Sequence, residues 1–190
     1  MLSTVRKALK RLMKYLFDDY ELYRIFQSPD RSSLPIDPDV YILDDAHSEL
    51  LASSESFRDL GQYLGDSAVT FTLMVGSELA SVAVYWYGER YRIFRGFIRL
   101  ERHEAKLIEI ETAERFRGRG LAGRLIRASS TIMHQRGFGR LYARIWHNNR
   151  NSIRAFTKAD WKQIAFVAGF RIGRRRIRFR LPLQFINWIA

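Results

Sequence analysis

A turn of glycine and arginine, Arg117-Gly118-Arg119-Gly120-Leu121-Ala122-Gly123, joins the strand-like run Leu107–Thr112 to a stretch whose apolar spacing predicts a helix over 121–136. Glycine has no Cβ, so the backbone can turn sharply there and bring its N–H groups close to a ligand. The helix behind the turn adds unpaired N–H donors and the positive end of its dipole. Strand, glycine turn and helix in that order make a cradle for a diphosphate-type anion. Arg115, Arg117, Arg119 and Arg124 add formal charge around it.

Composition bounds the rest. The 190 residues, 47% of them hydrophobic, can bury one sizeable core, so a single domain with decorations is expected. The absence of cysteine excludes disulfides, thiolate metal sites and a cysteine nucleophile, and it fits a reducing compartment. His47, His103, His134 and His147 have no metal-ligand spacing, and no metal is expected. No run approaches the ~20 apolar residues that span a bilayer, and the cationic N-terminus lacks a signal-peptide core. A cytoplasmic location follows as the expectation, with peripheral attachment at the inner membrane surface as a variant. A formal charge of +12 favours anionic partners such as nucleic acid, acidic lipid or phosphorylated molecules. That charge is concentrated. Arg6, Lys7, Lys10, Arg11 and Lys14 precede any acidic residue, and Arg171, Arg174, Arg175, Arg176, Arg178 and Arg180 crowd the other end.

Apolar residues spaced three and four apart, from Leu2 to Phe26, predict an amphipathic helix over 2–26 with a basic polar face in its first half. Three prolines mark 28–38 as a linker. The predicted order is then a short strand at 40–43, helix within 45–64, and a hairpin of strands 68–75 and 80–87 around Gly76-Ser77-Glu78. A turn at 88–90, a strand within 91–100 and a strand at 106–112 follow. After the glycine turn come the helix, a strand at 141–146, a helix at 152–158, and strands at 161–170 and 175–181. The last alternates Arg176, Arg178 and Arg180 with Ile177, Phe179 and Leu181, so one basic and one apolar face are expected. The domain division read from this pattern is an N-terminal arm and linker over 1–37 and a folded unit over 38–190.

A second pattern lies downstream, Asn149-Arg150-Asn151-Ser152-Ile153-Arg154-Ala155-Phe156-Thr157-Lys158-Ala159-Asp160-Trp161. With the turn Arg117–Ala122, and with the order of elements, it resembles the GNAT superfamily of acetyl-CoA-dependent N-acyltransferases. Asn149, Ser152, Ile153 and Lys158 keep the family's spacing. Phe156 stands where the family commonly has tyrosine, and Asp160-Trp161 replaces the usual Gly-Phe. Thr112 replaces a frequent apolar residue, and Glu114 a frequent proline. The resemblance covers roughly 38–181. It implies an α/β fold with a mixed, mostly antiparallel twisted sheet of about six or seven strands flanked by helices. That sheet would splay between its fourth and fifth strands, 107–112 and 141–146.

The resemblance also implies an activity, transfer of an acetyl or acyl group from acetyl-CoA to a primary amine by direct attack in a ternary complex. The cofactor's pyrophosphate would lie on Arg117, Gly118, Arg119, Gly120, Leu121, Ala122 and Gly123. Its pantetheine arm would pair with the backbone around Ile110 and Thr112, and Asn149 and Phe156 would contact it. Alternation predicts Glu109 and Glu111 on one face of their strand and Ile108 and Ile110 on the other. Either carboxylate is a candidate general base, with Glu111 preferred because it lies nearer the splayed end. Tyr142 and His147 are the other titratable candidates. The acceptor amine, small or macromolecular, is not selected by any motif, and a homodimer stays open. The arginine surplus keeps an aminoacyl-tRNA-like acceptor as an alternative. The basic helix 2–17 keeps another, a membrane-surface or scaffold module docking on anionic lipid.

Overall fold

A computed structural model describes residues 20–30, 33–43, 51, 54–94, 98–172 and 175–182. Their backbone forms one eight-stranded sheet. The strands are β1 (Tyr20–Gln27), β2 (Val40–Ile42), β3 (Ala68–Val75), β4 (Glu78–Tyr87), β5 (Glu104–Thr112), β6 (Arg140–Trp146), β7 (Lys162–Ile172) and β8 (Arg175–Pro182). They lie in the order β2-β3-β4-β5-β6-β1-β7-β8. Every neighbouring pair is antiparallel except β5 and β6. The helices are α1 (Gly88–Phe94), α2 (Leu121–Gln135) and α3 (Arg150–Lys158).

The hairpin β3–β4 turns at Gly76, whose φ of +63° suits the tight connection. Alternate side chains of this hairpin enter two cores. Phe71, Leu73, Ala83 and Tyr85 pack with Leu125, Ile126, Ile132 and Met133 of α2. Val82, Val84 and Trp86 pack on the opposite face with Leu51, Phe57 and Leu60. Tyr85 is fully buried, its hydroxyl 3.0 Å from Ser129 Oγ, and burial pushes its pKa up to about 12.

The structure corrects two expected elements. Residues 20–26 are not the end of a helix; they belong to β1, paired on one side with β6 and on the other with β7. Both faces of this strand are covered. Ile25 joins a core with Tyr142, Ala165 and Val167, and Phe26 joins the α2 core, so the alternation that marks a half-buried strand is erased. Residues 1–19, which carry the rest of the expected helix and its basic face, lie outside the described residues, as do 45–50, 52 and 53 of the expected helix at 45–64. That segment otherwise contributes a 3₁₀ turn, Arg58–Tyr63. The second correction is the stretch read as a turn and a strand, 88–94, which is α1. Its aromatic content is strand-like, but tertiary contacts win. Tyr91 is buried and its hydroxyl accepts from Ile98 N–H at 2.9 Å, while Arg90 donates to Gln62 O at 3.1 Å and lies 4.6 Å from the centroid of Trp86.

β8 pairs with β7 at the sheet edge, and Ile177, Phe179 and Leu181 remain more than a third exposed. Arg178 forks onto Glu21 of β1 at 2.9 Å, which raises the arginine pKa. Among the described residues no helix is long and apolar enough to cross a membrane.

Candidate functional site

β5 and β6 pair only from Glu104–Leu107 to Arg140–Ala143. Beyond that the two strands diverge, so the sheet opens where the sequence places the splay. On the open edge of β5, Ile110 N–H donates to the neighbouring Glu109 carboxylate at 3.2 Å. On its other edge β5 is fixed to β4, and Ser81 Oγ donates to Glu111 O at 2.6 Å with Thr112 Oγ1 at 2.9 Å.

A shift of register between Val84 and Tyr85 leaves Ile108 without an opposite residue on β4. This bulge alters the expected faces. Ile110 packs on the α2 core, but Ile108 packs with Val82 and Val84 on the side of Glu109 and Glu111. Buried Glu104 and Lys106 precede them on that strand. The bulge therefore adds an apolar residue to the carboxylate face.

β5 ends in the 3₁₀ turn Glu114–Phe116, and the glycine turn follows. Gly118 and Gly120 both have φ of +79°, the left-handed region that side chains with a Cβ avoid. The first helical bond of α2 to close runs from Arg124 N–H to Gly120 O at 3.2 Å. The N–H groups of Leu121, Ala122 and Gly123 therefore have no acceptor within the helix. A Cβ at Gly123 would sit 3.4 Å from Ala155 O, so its absence lets α3 approach α2 closely.

The arginines around the turn are not equivalent. Arg124 donates to both Asp37 oxygens and to Asp39, each at 2.6 Å. This fork lowers the Asp37 pKa and raises that of Arg124, and it removes Arg124 from the charge offered to an anion. Arg115 pairs with Glu78 at 3.0 Å. Arg117 Nε donates to Thr112 O at 3.1 Å and the side chain lies 3.7 Å from Glu111. Arg119 lies 5.3 Å from the Phe116 ring centroid.

α3 starts at Asn149, whose side chain accepts from Ser152 N–H at 3.1 Å, an N-cap. Phe156 of α3 is 2% exposed and packs edge-on against Trp161 at 5.0 Å. Trp161 Nε1 in turn donates to Ser130 Oγ at 3.1 Å. Asp160 takes φ of +63°, so it adopts the left-handed turn that glycine would adopt, and it reaches Arg127 at 3.7 Å.

These elements enclose a groove of about 1400 Å³. Every expected cofactor contact lines it, namely Ile110, Thr112, Asn149, Phe156 and the run from Arg117 to Gly123. Of the four catalytic candidates, Glu111 lines it and Glu109, Tyr142 and His147 do not. Tyr142 is buried at the paired end of the seam, 3.4 Å from Glu104 Oε1, and burial followed by the Glu104 charge raises its pKa. His147 follows the end of β6 and lines a separate concavity beside α3. One wall escaped the sequence reading. Leu34, Pro35, Ile36, Asp37 and Pro38 line the groove along α2, held by the Arg124 fork and by Gln135 Nε2 donating to Leu34 O at 3.0 Å. The only local signal was an acidic pair around a proline, Asp37-Pro38-Asp39, and its partner lies 85 to 87 residues away. Among the described residues no acid or histidine cluster could hold a metal.

A model of the acetyltransferase (GNAT) family matches residues 20–161, starting at the first residue of β1. A GNAT-family protein from Novosphingobium aromaticivorans superposes with a TM-score of 0.58 at 18% identity, over 80% of this chain and 64% of that one. A GNAT-family acetyltransferase from Colwellia psychrerythraea gives 0.58 at 14% identity, over 92% of this chain and 61% of that one. A GCN5-related N-acetyltransferase from Sphaerobacter thermophilus gives 0.56 at 10% identity, over 93% and 56%. The chain thus spans less than two thirds of the length of each, and at these identities the likeness is one of fold. No curated protein matches the chain.

Proposed function

Since the chain belongs to the GNAT acetyltransferase family, we propose that it is an acyltransferase that uses acetyl-CoA as co-substrate and a primary amine as acceptor. The observation that carries this reading is the single groove in which the open edge of β5, the free N–H groups at the start of α2 and the capped start of α3 converge. An extended amide-bearing arm fits the edge at Ile110, where the N–H is held only by the flexible Glu109 side chain. A diphosphate fits the N–H groups of Leu121 to Gly123, which supply fixed donors and the helix dipole. When bound, acetyl-CoA supplies the activated acyl carbonyl and a thiol of pKa about 8.5 as leaving group.

Most of the protein's work in this reading is positioning. Glu111 is the carboxylate of β5 on the groove and the candidate to take the proton that an ammonium acceptor must lose. Arg117 lies 3.7 Å from it. Phe156 offers no hydroxyl, so proton delivery to the departing thiolate falls to another group or to water. Tyr142 and His147 serve the reading less well, because neither lines the groove.

Calorimetric titration of the full chain with acetyl-CoA, CoA and longer acyl-CoAs tests the donor half. Binding by at least one is expected, and failure of all of them overturns the assignment. Acyl transfer to a panel of amines, with wild type and Glu111→Gln compared across pH, tests the acceptor half. The variant should lose roughly 10²–10⁴-fold in kcat at neutral pH. A loss that is repaired by raising the pH identifies proton removal as the missing step.

A further inference from the structure

The side of the sheet that carries α2 and α3 continues across β1, β7 and β8. Arg24 of β1 lies opposite Ile145 of β6 and Phe166 of β7, and Phe166 lies opposite Leu181 of β8. Ile145 belongs to the α2 core and Phe26 packs against Phe156 of α3, so these positions share the helix side. Ile177 and Phe179 occupy the same face of β8 at every second position. Whereas Phe71 and Leu73 on this side of the first half are fully buried, Ile177, Phe179 and Leu181 are 37%, 48% and 41% exposed. On the other face of β8, Arg178 is held by Glu21. The strand is thus fixed with its apolar face toward water, the reverse of what a half-covered edge strand usually presents.

The border of this apolar strip is cationic. Exposed Arg150, Arg154 and Lys158 recur at intervals of four along α3 and form one ridge. With Arg24 they line a concavity of about 590 Å³ in which no carboxylate takes part. Neighbouring strands lie about 4.8 Å apart, so the backbones of Arg24 and Leu181 are separated by roughly 10 Å. Cations and aliphatic side chains therefore form one continuous surface, an apolar strip with a charged rim.

The two halves of that surface make different demands. The strip gains from a partner that removes it from water, and the rim gains from negative charge. A second copy of the chain supplies no negative charge to the rim. Residues 1–17 supply none either, because Arg6, Lys7, Lys10, Arg11 and Lys14 precede any acidic residue. A nucleic acid would neutralise the rim but leave Ile177 and Leu181 in water. A bilayer with anionic headgroups meets both demands at once, with phosphates at the rim and aliphatic side chains in the acyl boundary. We propose that this side of β8 and α3 is a docking surface for an anionic lipid bilayer. The proposal is independent of the acetyl-CoA reading.

The test is flotation of the full chain with vesicles of phosphatidylcholine, alone or mixed with phosphatidylglycerol. Wild type should float only with the anionic vesicles and should be released in about 1 M salt, where the Debye length is about 3 Å. Ile177→Ser, Leu181→Ser and Arg150→Gln, none of which lines the groove at the glycine turn, are compared once thermal melting shows each folded. Each should lower partitioning onto anionic vesicles about fivefold. Two controls make the same changes elsewhere and should leave partitioning unchanged. They are Ile42→Ser on β2, where the side chain is 38% exposed, and Arg92→Gln on exposed α1. The proposal is overturned if wild type does not float with anionic vesicles, if either the serine variants or Arg150→Gln float as wild type does, or if the controls lose as much. Duplex DNA binding without flotation would assign the rim to nucleic acid. A dimer that Leu181→Ser dissociates, again without flotation, would assign the strip to a second copy. Both results overturn the bilayer.

Discussion

Strands β2, β3, β4 and β5 follow one another along the chain and lie side by side in that order, whereas β6, β1, β7 and β8 form the other half of the sheet from distant segments. The first half grows from adjacent strands and a tight hairpin, and its neighbours in space are neighbours in sequence. In the second half β1 is inserted between β6 and β7, which the chain itself connects through α3. The halves meet only where Glu104–Leu107 pairs with Arg140–Ala143, and the groove opens where that pairing stops. No residue of the inserted strand lines that groove; β1 instead closes the second half of the sheet between β6 and β7. It also brings Arg24 to α3, a contact that no local arrangement supplies.

The largest expected effect comes from the inserted strand. Ile25→Ala should cost about 2–5 kcal/mol in urea denaturation, as much as Leu73→Ala in the core of the first half, because both side chains are at most 1% exposed. A loss under about 0.5 kcal/mol for Ile25→Ala would return β1 to the status of a detachable arm. Next is the turn. Gly120→Ala forces a Cβ into a φ of +79° and should cost about 1–2 kcal/mol by thermal melting. It should also weaken acetyl-CoA binding about tenfold by calorimetry, since the same strain misplaces the N–H donors. Gly61→Ala, with nothing within 4 Å of the added Cβ and no positive φ, should leave both readings unchanged.

Smaller effects compare the arginine forks of the two halves. Arg124→Met leaves the Asp37 carboxylate, only 20% exposed, without its charged partner and with only the Asp39 N–H still donating to it, and about 1 kcal/mol should be lost in urea denaturation. Arg178→Met removes the fork onto Glu21 in the other half, where the carboxylate side chain is 14% exposed, and a loss of at most about 1 kcal/mol is expected. The smallest effect is with pH. The folded pKa of Asp37 is lowered by the Arg124 hydrogen bonds, so its stabilisation is complete above the unfolded value of about 3.9 and disappears as pH falls through the lower folded value. Unfolding free energy followed between pH 5 and pH 2 should therefore fall more steeply in wild type than in Arg124→Met.

Local chemistry was enough for much of this molecule. The glycine turn, the helix behind it and the hairpin around Gly76 each depend on residues within a few positions of one another, and each stands where the pattern places it. The expected groove contacts were legible for the same reason, because strand, turn and helix carry them in a fixed order. Tyr20–Gln27 was misread because its partners are more than a hundred residues away and cover both of its faces. The 88–94 segment was misread because Trp86, Gln62 and Ile98 hold it helical against its β-rich composition. The bulge at Ile108 was invisible because a strand's register depends on its partner, and it changed which isoleucine faces the carboxylates.

The sequence by itself determined an anion cradle with a strand before it and a helix behind it, since backbone conformation and unpaired N–H groups are set by the residues that carry them. Tertiary structure alone decided which charges remain available. Arg124 and Arg24 are the same side chain, yet one meets two carboxylates and the other an amide and an aromatic ring. Charge is neutralised through space, over a few ångströms, by partners that the chain brings from far away.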